Sequence, residues 1–419
     1  MIATVRRAYG VRGSIHVPGD KSISHRALML GAIATGDGHV RGLSTGADVQ
    51  STADCLRALG VEIDATRIAG RGMRGLRPAV GPLDCGNSGT TMRLLGGLLA
   101  AQEFESELVG DESLSKRPMD RVVGPLVEMG AKATWPPLRV GGQAHLHGID
   151  YAPRVPSAQV KSAILLAGLY AEGATTVVEP VRTRDHTELM LGAMGAPVTV
   201  DGLRVRVECA KRLQSLHIQV PGDSSSAAFW LVAGGLVGGS DVRLPGVGVN
   251  PTRSAFADLL TSLGFRIERS NAHFEADEPV ADLRVRTAVT DGHATNVGGE
   301  VAARMIDELP LLAVVATQLE GTSNIAGAAE LRVKESDRLY AMEAGLSAMG
   351  ADIRVTEDGW LINGPRQLEG ARVESAGDHR IAMALAVAGL IANGKTEIVG
   401  AECVGISYPE FFDHLEYLC

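Results

Sequence analysis

The chain has 419 residues, of which 45% are hydrophobic but only 4% aromatic, with 51 glycines and a formal net charge of −9. So apolar a composition excludes a disordered chain and builds its core from Ala, Val, Leu, Ile and Gly, at a length that accommodates two domains. The acidic balance argues against a nucleic-acid binder, which carries a basic excess, but it leaves room for a local basic cleft facing a small anion.

The opening segment MIATVRRAYGVRG lacks the apolar stretch of a secretory signal. No apolar run reaches the roughly 18–20 residues of a membrane span. The cysteines, Cys55, Cys85, Cys209, Cys403 and Cys419, are scattered, with no CxxC pair and no metal-ligand spacing. The expectation is a cytoplasmic protein with reduced thiols, no membrane partner and no metal.

In chain order, the first element is the polar turn PGDKSISHR (18–26) running into the apolar ALMLGAIA, followed by RALGVEI (57–63). A second turn and apolar run, CGNSGTTMRLLGGLLA (85–100), precedes SKRPMDR (115–121) and VEMGAKA (127–133). A third, PSAQVKSAILLAGLYA (156–171), precedes RTRDHTE (182–188) and GAMGAPVTV (192–200). The fourth, IQVPGDSSSAAFWLVAG (218–234), repeats the pattern of IHVPGDKSISHRALMLG (15–31) and leads to TSLGFRI (261–267). ARMIDELPLLAVVA (303–316), RVKESDR (332–338) and SAMGADIRV (347–355) form a fifth set, and GDHRIAMALAVAGLIA (377–392) with the C-terminal PEFFDHLEYLC a sixth.

Each set predicts a strand, a buried helix, further strands, an amphipathic outer helix and a strand. The recurrent Leu-Gly or Met-Gly is a helix stop, because Gly enters the left-handed region without penalty. Six such units in two halves imply common architecture. The matching VPGD segments predict one domain of 1–15 plus 226–419, an inserted domain of 16–225, and a two-strand hinge near 14–18 and 218–223 suited to closure.

The chemistry gathers in the turns. Lys21, Ser22 and Arg26 lie in the first, Asn87, Ser88, Gly89 and Thr90 in the second, and Ser157, Gln159 and Lys161 in the third. Asp307 and Glu308 lie in the fifth, and Asp378, His379 and Arg380 in the sixth. Helix N-termini favour anions, so turns lining one cleft would make an anion site. Arg117, Lys334, Glu335 and Arg338 add charge at outer-helix starts, where arginine suits a bidentate grip on carboxylate or phosphate. Taken singly, each such charge reads as a solvated helix start, and Glu335 and Arg338, three apart, could simply pair.

PGDKSISHR, GNSGTTMR, KRPMDR, SAQVKSA, IDELP, RVKESDR and GDHRIAMA, in that order, resemble the 5-enolpyruvylshikimate-3-phosphate synthase family over about residues 5–415. The resemblance implies an α/β fold of two similar domains, each of three βαβαββ repeats with buried parallel helices. It implies transfer of the enolpyruvyl group of phosphoenolpyruvate to the 5-hydroxyl of shikimate 3-phosphate, releasing phosphate, with no metal or organic cofactor. By the same resemblance Ser22, Arg26, Ser157, Gln159 and Lys334 hold shikimate 3-phosphate, and Lys21 lies between both substrates. Arg117, Arg338 and Arg380 clamp phosphoenolpyruvate, Gly89 allows close approach of the backbone, and Gln159 reaches both ligands. Asp307 is the implied base toward the 5-hydroxyl and a shikimate-phosphate contact, and Glu335 the proton shuttle at C3, with Lys21 as a further catalytic group.

The pattern departs from the family in two places, which resembles its more divergent bacterial branch. Ala158 stands where many members carry a second Ser, and Ile406 where many carry a Lys before the C-terminal Pro, with Arg184 the candidate replacement cation. Glyphosate, as a phosphoenolpyruvate analogue, is a possible inhibitor, and Gly89 leaves it room. His145 and His147 alternate as surface groups on a strand, and His25 and His379 have no third metal ligand nearby in sequence. A monomer is expected, since two domains already enclose a cleft.

The enzymatic rival is a UDP-N-acetylglucosamine enolpyruvyl transferase, which would place a Cys in the stretch that here reads VGDESLSKRP (109–118). An RNA-end-processing or RNA-binding repeat protein is opposed by the acidic balance and sparse aromatics.

Overall fold

The computed structural model describes residues 1–142, 145–287 and 292–419. Six helices buried along nearly their whole length organise the chain: Lys21–Ile33, Gly89–Leu99, Ala158–Gly168, Ser224–Leu236, Leu309–Ala316 and His379–Ile391. A helix apolar on every face is stable only when enclosed. Small residues let these inner helices approach closely. A Cβ on Gly97 would lie 2.2 Å from the carbonyl oxygen of Ala163, so the second and third inner helices meet almost backbone to backbone.

Each inner helix is followed by a strand that founds a small sheet. In one sheet Thr175–Val178 pairs parallel with Asp150–Tyr151 and antiparallel with Arg204–Val207, which pairs with Val198–Asp201. The same order recurs for Leu83–Asp84, Glu105–Val109, Leu138–Gly141 and Ala133–Thr134. It recurs again for Asn296–Val297, Gly321–Ile325, Trp360–Gly364 and Asp352–Val355.

Two units exchange their first strands. Arg12–Ser14 precedes the first inner helix yet pairs parallel with Asp241–Gly248, which follows the fourth. His217–Gln219 precedes the fourth yet pairs parallel with Thr35–Arg41, which follows the first. The sixth repeat is completed from the other end of the chain, with Ile2–Arg6 antiparallel to Lys395–Val399. Neither partner is next to its mate in sequence, so strand alternation alone could not assign these pairs.

The contacts divide the chain into one unit of 1–18, 221–273 and 279–419, and another of 19–220 and 274–278. Each has its own apolar core. In the first, Trp230 donates to the hydroxyl of buried Tyr408 at 2.9 Å, and that hydroxyl also meets His414 Nδ1 at 2.8 Å, fastening the C-terminal helix Phe411–Leu418.

The outer helices stop as the Leu-Gly and Met-Gly signals predict. Ala47–Ala58, Asp120–Glu128, His186–Ala193, Ala255–Ser262 and Arg338–Ala348 each run into a glycine with positive φ, namely Gly60, Gly130, Gly195, Gly264 and Gly350. Each shows the paired hydrogen bonds of a Schellman cap. In the last, Gly350 N–H donates to Ser347 O at 2.9 Å and Ala351 N–H to Leu346 O at 3.0 Å. Around His145 and His147 the alternation holds, with Leu146 buried between two exposed histidines, but the backbone forms only a bridge from His147 to Glu172. Among the described residues no helix is long and apolar enough to cross a membrane.

At Gly350 a Cβ would meet no atom within 4 Å, so only its φ of +87° opposes a side chain. Gly350→Ala is expected to cost about 1–2 kcal/mol from the left-handed backbone alone. Gly192, inside an outer helix where a Cβ would make only an ordinary contact with Val198 Cγ1 at 3.9 Å, should instead gain about 0.5–1 kcal/mol on Gly192→Ala. Urea unfolding midpoints check both, and the same sign for the two would contradict the cap.

Candidate active site

The polar turns come together within each unit, and each unit is taken by itself. In the unit containing 19–220, Asp20 Oδ1 accepts from Ile23 N–H, Ser88 Oγ from Thr91 N–H and Ser157 Oγ from Val160 N–H, capping the three inner helices. A side-chain cap satisfies one orphan donor and leaves the positive helix end able to take an anion.

The N-terminal turns of these helices touch one another. Gln159 donates to Thr90 Oγ1 at 2.8 Å and accepts from Arg93 at 2.5 Å, which joins the second helix to the third. Arg26 joins the first helix to the third, donating to Ser162 Oγ at 2.7 Å, and it also donates to Thr187 Oγ1 at 2.6 Å and to the carbonyl of Ser22 at 2.8 Å. Only 3% of Arg26 is exposed, so its guanidinium shapes the turn as well as charging it. Burial pushes Arg26 down to about 10, against the opposing pull of Glu188 and with help from the nearby Arg184 cation.

Lys21 Nζ lies 3.0 Å from Asp48 Oδ2, and Arg184 donates to Ser22 Oγ at 3.3 Å. Arg117 donates to Asn87 Oδ1 at 2.6 Å and to Ser113 Oγ at 3.3 Å. A Cβ on Gly89 would stand 2.8 Å from Arg93 and 3.5 Å from Arg117, so that glycine opens onto two guanidinium groups. Ala158 opens the third helix with no polar side chain of its own. Lys161, grouped by sequence with the third turn, is instead buried against Glu179 and Glu188. His25 is also buried, and desolvation together with the Lys21 and Arg26 cations lowers its pKa well below the usual histidine value. Its Nδ1 meets Thr52 Oγ1 at 2.7 Å, and Thr52 meets Thr91 at 2.6 Å.

In the other unit one guanidinium holds the polar groups. Arg338 is 1% exposed and donates from Nε to Asp378 Oδ2 at 2.7 Å and from Nη2 to Glu335 Oε2 at 2.5 Å. Its Nη1 reaches Asp307 Oδ1 at 3.5 Å. Burial acts to lower its pKa, but Asp378, Glu335 and Asp307 together more than reverse this and raise it.

Arg380 Nη1 donates to the carbonyl of Asp307 at 3.3 Å, and its Nη2 lies 3.7 Å from Asp307 Oδ2. Asp307 is thereby flanked by two arginines. Lys334 precedes the outer helix rather than beginning it, lies 3.9 Å from Glu330 Oε1 and keeps 27% of its side chain exposed. Burial lowers its pKa, partly offset by the Asp307 and Glu330 carboxylates.

The structure therefore gathers Lys21, Ser22, Arg26, Ser157, Ala158, Gln159, Arg184, Gly89 and Arg117 in one unit. Asp307, Lys334, Glu335, Arg338 and Arg380 gather in the other. Two charged partners escaped the sequence reading. Arg93 lies four residues after Gly89, hence on the same helix face, and that spacing was the available signal. Asp48, which balances Lys21, carried no local signal, because its helix is positioned only by tertiary packing.

The chain matches the model of the family described as EPSP synthase (3-phosphoshikimate 1-carboxyvinyltransferase) over residues 5–415. The 3-phosphoshikimate 1-carboxyvinyltransferase of Pelotomaculum thermopropionicum is 52% identical over 98% of this chain and 97% of its own. That of Geobacillus kaustophilus is 51% identical over 97% and 98%. The solved EPSP synthase of Acinetobacter baumannii superposes with a TM-score of 0.88 at 42% identity, covering 100% of this chain and 98% of that one. With its motifs in order and its length matched throughout, the chain belongs to the EPSP synthase family.

Proposed function

We propose a division of labour for the transfer of the enolpyruvyl group of phosphoenolpyruvate to the 5-hydroxyl of shikimate 3-phosphate, the reaction of this enolpyruvyl transferase. Shikimate 3-phosphate is held by Ser22, Arg26, Arg184 and the third-turn residues Ser157 and Gln159, with Lys334 as a further cation. Phosphoenolpyruvate is held by Arg117, Arg338 and Arg380, with Lys21 between the two substrates. Bringing two polyanions together requires fixed cations to offset their repulsion, and a preorganised cluster does so without reorganisation during the reaction.

One observation carries the proton chemistry: a single guanidinium, that of Arg338, bonds Glu335 and Asp307 through neighbouring nitrogens. Two carboxylates are thus delivered to one place, as addition–elimination demands. In the addition, the 5-hydroxyl oxygen bonds to C2 of phosphoenolpyruvate, its proton passes to Asp307, and C3 gains a proton from Glu335. In the elimination, C3 returns a proton to Glu335, the double bond re-forms as the C2–O bond to phosphate breaks, and the departing phosphate takes up the proton held by Asp307, so both carboxyl groups are restored. Such positioned acid–base groups contribute about 10²–10⁴-fold each.

The groups assigned to each substrate lie on both units, so the reading requires both units to engage one pair of substrates, with closure excluding water. It uses no metal or organic cofactor, and it places the enzyme in the cytoplasm as a monomer. Cys55, Cys85, Cys209, Cys403 and Cys419 are free thiols, as that compartment favours.

Asp307→Asn and Glu335→Gln are each expected to lower kcat by about 10²-fold or more with the fold intact. Phosphate release from phosphoenolpyruvate in the presence of shikimate 3-phosphate measures this, with UDP-N-acetylglucosamine as the control acceptor. Near-normal turnover in either variant would remove that carboxylate from the mechanism, and turnover with the sugar nucleotide instead would overturn the acceptor.

Because burial holds Lys334 below the ordinary lysine value of 10.5, its cation is lost at lower pH than that of a free lysine. kcat/KM for shikimate 3-phosphate should therefore decline early on the alkaline side. Lys334→Arg should move that limb to higher pH, and an unmoved limb would take Lys334 out of the site.

Gly89→Ala would drive a methyl group against Arg93 and toward Arg117. It is expected to raise the inhibition constant for glyphosate more than KM for phosphoenolpyruvate. Equal shifts in the two constants would refute selective exclusion.

A further inference from the structure

The segment 179–188, EPVRTRDHTE, carries Arg184 and Thr187, yet it lies outside the inner-helix turns that form the rest of the site. Its two ends return to one buried cation. Lys161 Nζ lies 3.0 Å from Glu179 Oε2 and 2.6 Å from Glu188 Oε1, with the three side chains 1%, 5% and 3% exposed. Lys161 belongs to the same helix as Ala158 and Gln159 and adjoins Ser162, which bonds Arg26.

We infer that Lys161 is a positioning residue for shikimate 3-phosphate, clamping both ends of segment 179–188 so that Arg184 is held against Ser22. The inference rests on the reading that Ser22, Arg26 and Arg184 receive that substrate.

Between the clamped ends three further sets of contacts act in the same sense. Glu179 Oε1 accepts from Thr183 N–H at 3.1 Å and also from the Thr183 hydroxyl, fixing the residue before Arg184. Thr187, the residue before Glu188, meets Ser162 Oγ at 2.7 Å and accepts from Arg26 Nε at 2.6 Å. His186 Nδ1 lies 2.7 Å from Glu278 Oε1, with both side chains buried, which anchors the start of the helix His186–Ala193 a second time.

Arg184 itself is half-buried and reaches Ser22 Oγ at 3.3 Å. A long cationic side chain on an unclamped loop would lose rotamer and backbone freedom each time it met a phosphate. Holding the loop beforehand removes that cost from binding. The clamp also balances charge, because Lys161 and Arg26 stand with Glu179 and Glu188 in one buried cluster and Glu188 acts on Arg26 electrostatically. Breaking one member of such a cluster strands the others without compensation.

The decisive experiment is a double-mutant cycle between Glu179→Gln and Arg184→Ala, read as KM for each substrate and kcat, with Lys161→Met alongside. Glu179→Gln keeps the shape of the residue and a hydrogen-bond acceptor for Thr183 while removing the charge from the clamp. It is expected to raise KM for shikimate 3-phosphate about 5-fold or more, with KM for phosphoenolpyruvate and kcat changed by less than about 2-fold. In the Arg184→Ala background the same change should have little further effect, since coupled residues are non-additive.

Additive effects in the cycle, or equal changes in both KM values, would show a merely structural triad and overturn the inference. If Arg184→Ala alone leaves KM for shikimate 3-phosphate unchanged, the underlying assignment of Arg184 fails instead. Lys161→Met should reproduce the substrate-selective loss at larger amplitude. If it does not fold, the cycle on Glu179 still decides.

Discussion

The constraint on which the structure depends is the enclosure of six helices that are apolar on all sides. The first N–H groups of a helix have no partner within it, and side chains meet some of them. In this chain Asp20, Ser88, Ser157, Asp223 and Asp378 meet them. Because the inner helices of each unit contact one another near their N-termini, the capping residues and their neighbours collect at one end. A polar site is therefore a consequence of how each core is closed.

The fifth inner helix is the exception, and it is informative. Glu308 occupies its cap position without a side-chain cap, and Pro310 lies in the first turn, where a missing N–H costs little. Glu308 accepts a hydrogen bond from Ser225 of the fourth helix. The neighbouring Asp307 is left to Arg338 and Arg380. Asp20, Asp223 and Asp378 each cap their own helix, whereas the fifth helix has no side-chain cap and its Asp307 faces two guanidinium groups, and that is the turn to which acid–base work is assigned.

Charge is managed differently in the two units. Around Arg338 three carboxylates surround one buried arginine, and its raised pKa keeps it cationic at any working pH. Around Lys21, Arg26, Arg93, Arg117 and Arg184 cations predominate, with Asp48 as a direct acidic partner of Lys21. A protein of net charge −9 thus holds a concentrated positive region, which composition alone could permit but not locate.

Much of this was legible in the chain. The repeat of inner helices, the glycine stops of the outer helices and the chemical identity of the turns are local. A Leu-Gly stop works through the φ of one residue and a cap through a hydrogen bond spanning three, so both leave a mark in consecutive letters. Long-range pairing leaves none. The exchange of Arg12–Ser14 with His217–Gln219, the closing of the sixth repeat by Ile2–Arg6, the pairing of Asp48 with Lys21 and the burial of Lys161 between two glutamates were decided only by tertiary structure. In each case the partners are brought together by packing of elements distant in sequence, and the energy of a buried ion pair or a parallel strand depends on that packing.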